Sequence, residues 1–177
     1  MVWFVITVFA LAGMIKGTIG LGLPAVSMGL LTMVISPFQA ATLLIIPSMV
    51  TNFWQLFAEG RVLQLIRRFW LLLLGIIIGS IWSVFPTLGH SDFNSEALLG
   101  GMLALYGVYG LFAKSMPNLS KYENLLSPIM GYLGGALTVA TGVVVIPVVP
   151  YLQTLNLQRD DLVQSLGLAF TTSTICL

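Results

Sequence analysis

Residues 2–35 carry a single charged side chain, Lys16, in a run too long and too apolar to be exposed to water. A bilayer core takes roughly 20 apolar residues per helix, so this run exceeds one straight crossing. Gly13, Gly17, Gly20, Gly22 and Pro24 interrupt it. Further apolar runs follow at 38–58, 69–88, 97–113, 125–152 and 162–177. The run at 125–152 is also over-long and is broken by Gly131, Gly134, Gly135, Gly142, Pro147 and Pro150. Charged residues make up 7% of the chain, against roughly 25% in soluble domains. They are too few to cover a water-facing globule. The expectation is an all-α, polytopic transmembrane helix bundle of six spans in the lipid bilayer.

The N-terminal stretch is expected to be a retained span and not a secretory leader. Ala10-Leu11-Ala12 has the small-residue spacing of a cleavage site, but no Lys or Arg precedes it and apolar sequence resumes after Lys16. If every run crosses once, Arg61, Arg67, Arg68, Lys114 and Lys121 share the side of the N-terminus, and Arg159 stands alone opposite. Basic loops stay cytoplasmic. That parity places the N-terminus inside, in a cell (inner) membrane protein. A re-entrant first or fifth run would change it.

Two over-long, glycine-broken runs invite a search for internal repetition. A shift of 118 residues carries Gly13 onto Gly131, Gly17 onto Gly135 and Val26 onto Val144. After a three-residue insertion, Thr51 meets Thr172 and Asn52 meets Ser173. With four crossings between the copies, both enter from the same side. The reading is of parallel four-helix repeats: residues 1–124 form the first, and residues 125–177 supply the first two helices of an incomplete second.

An anion moved through hydrocarbon needs its lost hydration replaced at mid-membrane. Broken helices do this with the unpaired N–H groups of a half-helix N-terminus, and glycine lets backbone approach a ligand closely. Gly17, Gly20, Gly22 and Pro24 fit that role in the first half; Gly135, Thr138, Thr141, Gly142 and Pro147 fit it in the second. The plainer account makes the glycines small residues for close helix packing, which suits Gly13-xxx-Gly17 and Gly131-xxx-Gly135. Lys16 lies inside an apolar run, where a charge costs at least ~2.5–3.5 kcal/mol. It acts as counter-ion to an anion or snorkels to an interface. Thr51 with Asn52, and the cluster Thr171, Thr172, Ser173 and Thr174, offer uncharged donors, or bond back to their own helices; Thr51, Asn52, Thr172 and Ser173 are favoured because they match between the halves. Gln39, Gln55 and Gln153 read as loop-end anchors.

The stretch GMIKGTIGLGLP at 13–24 and its partner GYLGGALTVATG at 131–142 resemble the sulfite exporter TauE/SafE family, in a form lacking the last two spans. That resemblance implies a membrane transporter of small anions, chiefly sulfite, sulfonates or other organosulfur compounds, by secondary or facilitated transport. Its expected partners are a small anionic solute and the lipid bilayer, with further copies of itself as a third. The alternative is a non-transporting membrane scaffold or an inactive truncated remnant.

Other classes find no support. His90 is the only histidine and sits in a loop with Asp92 and Glu96, so no catalytic set or metal pair forms. No phosphate-binding signature occurs, and a net charge of +1 without a basic patch offers nothing to nucleic acid. The single Cys176 excludes an intrachain disulfide. The chain is expected to be no enzyme and to need no cofactor.

Overall fold

The computed structural model describes residues 2–58, 60–88, 94–112, 118–144 and 146–177. His90, Asp92 and Lys114 lie outside them. Among the described residues the six apolar runs become eight α-helices: α1 (Val2–Ile19), α2 (Leu23–Leu31), α3 (Pro37–Phe57), α4 (Val62–Ile81), α5 (Ser95–Phe112), α6 (Glu123–Thr141), α7 (Val148–Thr154) and α8 (Arg159–Cys176). By length and composition α1, α3 and α4 are long and apolar enough to cross a membrane.

Local chemistry sets the breaks. The first run stops at Gly20, and Gly22 has φ 110°, a conformation that favours glycine. Pro24 then sits in the first turn of α2, where a missing N–H costs nothing. The fifth run stops at Gly142, φ 76°. Ser36 and Gln39 form a reciprocal capping box at the start of α3, so Gln39 is a helix-end anchor as expected.

Both over-long runs fold back as hairpins, and this corrects the expectation of single crossings. Along α3, Lys16 lies level with Thr51 and Asn52, and Gly20 with Gln55. α1 therefore runs parallel to α3. Pro24 then lies beside Leu44 and Ser48, and Met28 and Ala41 both border Gly142, so α2 runs back the other way. In the fifth run Gly134 faces Val148, Ser127 faces Tyr151, and Leu119 bonds Thr154; α7 likewise returns along α6.

The hairpins overturn the parallel sense of the repeat. α3 and α8 pack antiparallel: Leu56 accepts from Gln164 while Asn52 donates to Thr174. The order long, short, long recurs as α1–α2–α3 and α6–α7–α8, but in opposite directions. The expectation failed because a hairpin adds one reversal to each copy, which alters the crossings between them. For the same reason the start of α1 lies level with the start of α3, at the end of the bundle away from Arg61. At the basic end, Arg61 pairs with Asp161 at 3.1 Å, and Arg68 grips Glu123 through two 2.8 Å bonds. α4 begins at Val62, earlier than the apolar run suggests, and kinks at Phe69 (φ −100°, ψ 17°).

The core is built on α3, α4, α6 and α8, with α2 and α7 inserted between them. Phe69, Phe170, Met28, Leu31, Leu72, Ile76, Leu152 and Leu166 are its largest apolar members. Trp3, Trp54, Trp70 and Trp82 stay exposed on the outside, as an apolar solvent allows.

Candidate functional site

α1 and α3 diverge around a cleft of about 440 Å³ lined by Lys16, Gly17, Gly20, Thr51, Trp54 and Gln55, among others. A Cβ placed on Gly13 or Gly17 would meet nothing within 4 Å. These two glycines open the cleft instead of packing a helix, unlike Gly131 and Gly135.

Lys16 is only 5% exposed. Its ammonium donates to Thr51 Oγ1 at 3.0 Å and to Asn52 Oδ1, and lies 5.7 Å from the centre of the Phe170 ring. Among the described residues no carboxylate pairs with it. Two of its three donor protons are thus engaged by neutral acceptors, and one remains for the cleft. The amide, the hydroxyl and the ring that hold it are all uncharged. Thr51 is fixed in turn by donating toward Pro47 O and Ser48 O, at 2.9 and 3.1 Å.

A second set of expected residues gathers where the two chain breaks cross. Pro24, Thr138, Gly142 and Ser173 line a small void with Ser48, Phe170 and Thr174. Ser173 bonds Thr138 at 3.2 Å, and Asn52 Nδ2 donates to Thr174 at 3.4 Å. This joins the void to the Lys16 cleft. Pro24 lies level with Ser48, about halfway along α3, so the N-terminus of α2 opens at mid-depth.

Four expected residues fall elsewhere. Gly135 packs on α4, where its Cβ would stand 2.1 Å from Ile76 O. Thr141 bonds Leu137 O at 2.7 Å and faces a pocket with Leu99 and Tyr106. Thr172 bonds Leu168 O in its own helix. Pro147 caps α7. None of the four touches the cleft or the void. Gly22 forms the turn beside them, packed on Ile15.

Ser48, Gln55 and Phe170 were missed as site residues, whereas Thr174 belongs to the hydroxyl cluster already noted. Gln55 is no loop-end anchor: it is buried and ties the first hairpin to α8 through Gly20 O (2.8 Å) and Val163 O (2.6 Å). Ser48, Asn52 and Gln55 follow the i, i+4, i+7 spacing of one helix face. That polar stripe was available in the sequence.

Among the described residues, a helical bundle with apolar outer faces, inserted hairpins and a buried lysine beside a cleft fits a multi-pass membrane protein. The family model described as sulfite exporter TauE/SafE matches residues 5–177, and the chain belongs to that family. No curated protein and no solved structure matches it.

Proposed function

We propose that the protein carries small oxyanions of the sulfite and sulfonate class by secondary or facilitated transport, binding them first at Lys16. The observation that carries this reading is a buried ammonium with no carboxylate partner among the described residues, held by Thr51 and Asn52 on the wall of a cleft. Gly17 and Gly20 give the anion room, and Gln55 holds the hairpin tip in place. The opposed α1–α3 and α6–α8 units support an inverted-repeat carrier, the architecture in which broken helices meet near mid-membrane. Arg61, Arg67, Arg68, Lys121 and Arg159 gather at one end, which by the positive-inside bias faces the cytoplasm. The N-terminus then faces outward. A cysteine placed before Trp3 in a Cys176→Ser background is expected to react with an impermeant reagent added to intact cells; reaction only after permeabilisation reverses this orientation.

The test is sulfite and sulfonate uptake into proteoliposomes. Lys16→Ala removes a charged hydrogen-bond donor worth about 1.5–3 kcal/mol, so half-saturation should rise roughly 10- to 100-fold. Thr7→Val, on the exposed face of α1, should leave it unchanged. Unaltered saturable flux in Lys16→Ala removes Lys16 from the site. Absence of flux from the well-folded parent protein favours a scaffold.

A further inference from the structure

The void at the crossing has a donor that no neighbour uses. Ser48 is 1% exposed, and its hydroxyl has no hydrogen-bond partner although it lines the void. The first turn of α2 stands beside it at Pro24, which carries no N–H of its own, so the donor on this side of the void is the Ser48 hydroxyl. Thr138, Ser173 and Thr174 complete a wall of hydroxyls whose protons go to Gly134 O, Thr138 Oγ1 and Phe170 O, which leaves the Ser48 hydroxyl as the donor not yet used. Among the described residues no acidic side chain lines this space.

Position adds to chemistry. On the basic side lies the Lys16 cleft. On the other side a cleft of about 280 Å³ is lined by Thr42, Ser80, Thr87 and Cys176, and it shares Ile45 and Leu177 with the void. The void between them measures only about 10 Å³, room for about one water molecule and too little for an anion with three oxygens. Phe170 both lines the void and lies under the Lys16 ammonium. An anion that draws Lys16 toward itself weakens the cation–π contact and frees the ring to turn.

We propose that this junction is a second oxyanion station and the occlusion point between the two clefts, with Ser48 as its donor and Phe170 as its closing side chain. It rests on the transport reading above. An anion passes from Lys16 to the hydroxyl-lined station when the ring moves, then into the cleft at Cys176.

The test uses the full chain in oriented vesicles and an impermeant methanethiosulfonate. Cys176 is one reporter; Gly17→Cys in a Cys176→Ser background is the other. Cys176 should react only from the end away from Arg61, and the Gly17→Cys variant only from the basic end. Phe170→Ala should make both reactive from both ends, with Phe170→Leu as the milder variant should the first fold poorly. Ser48→Ala should leave both one-sided but lower maximal sulfite flux about tenfold, the loss of one hydrogen bond to a charged group, with half-saturation unchanged. Reporters silent from both ends, a barrier intact in both Phe170 variants, or full flux in Ser48→Ala overturns the proposal. The labelling arms need no substrate. An anion-independent Lys16→Ala result therefore defeats the transport reading while leaving the two-cleft path standing.

Discussion

Gly135→Val should leave no monodisperse protein in detergent, because α4 and α6 cross with backbone touching backbone. A Cβ on Gly135 would lie 2.1 Å from Ile76 O and 2.9 Å from Ser80 N; on Gly131, 2.3 Å from Leu72 O. The partners across the seam are equally bare: a Cβ on Gly79 would reach 2.1 Å from Tyr132 O, and on Gly75 2.5 Å from Pro128 O. No side-chain rotation relieves a clash with a carbonyl. The helices must separate, and the close contacts along the seam weaken together. Overpacking costs about 1–3 kcal/mol where a core can adjust; here valine should exceed about 3 kcal/mol, and alanine should lower the melting temperature measurably. Gly107→Ala in α5, where a Cβ meets nothing within 4 Å, should hold or raise it, since alanine favours helix by up to about 1 kcal/mol over glycine. A Gly135→Val protein that melts with its parent would show that the seam is not tight.

The same glycine spelling thus has two outcomes in one chain. Gly131-xxx-Gly135 packs against α4, whereas Gly13-xxx-Gly17 opens a cleft. Spacing places both pairs on a helix face, but what the face meets is decided by tertiary packing, which spacing does not encode. The breaks at Gly20–Gly22 and Gly142 were legible, because positive-φ glycine and proline in the first helical turn are local chemistry. Whether a break bends the helix or reverses it was not. Reversal depends on where Met28 and Val148 find apolar partners, across α6 and α3 in one case and against Gly134 in the other. Lys16, Thr51 and Asn52 were recognised as polar residues in lipid; their convergence depends on α1 lying parallel to α3, a consequence of the hairpin. Thr172 shows the limit of repeat matching: like Thr51 it donates to its own helix, but the lysine that Thr51 accepts from has only Gly134 as its counterpart in the second half, and it is the neighbour Ser173 that reaches Thr138.

Asn52→Asp should separate the stability of the site from its ability to hold an anion. Asn52 is fully buried, accepts from Lys16 and donates to Thr174. A carboxylate in its place gives Lys16 an internal counter-charge within hydrogen-bond reach, so the fold should melt at or above the parent temperature. The charge offered to the cleft is then cancelled, and half-saturation for sulfite should rise by roughly 10- to 100-fold, as for loss of the lysine itself. Asn52→Leu fails for the opposite reason. It leaves a buried ammonium with only Thr51 as acceptor beside the Phe170 ring, a change that costs about 3–5 kcal/mol where a buried charge loses its partner, so transport and stability should fall together. Adding Lys16→Ala to Asn52→Asp strands the carboxylate among Phe170 and Thr174, and the pair should be less stable than either single variant, a non-additivity expected of groups in direct contact. A stable Asn52→Asp protein that still takes up sulfite with parental half-saturation would mean that the positive charge on Lys16 holds helices together and plays no part in recognising the anion.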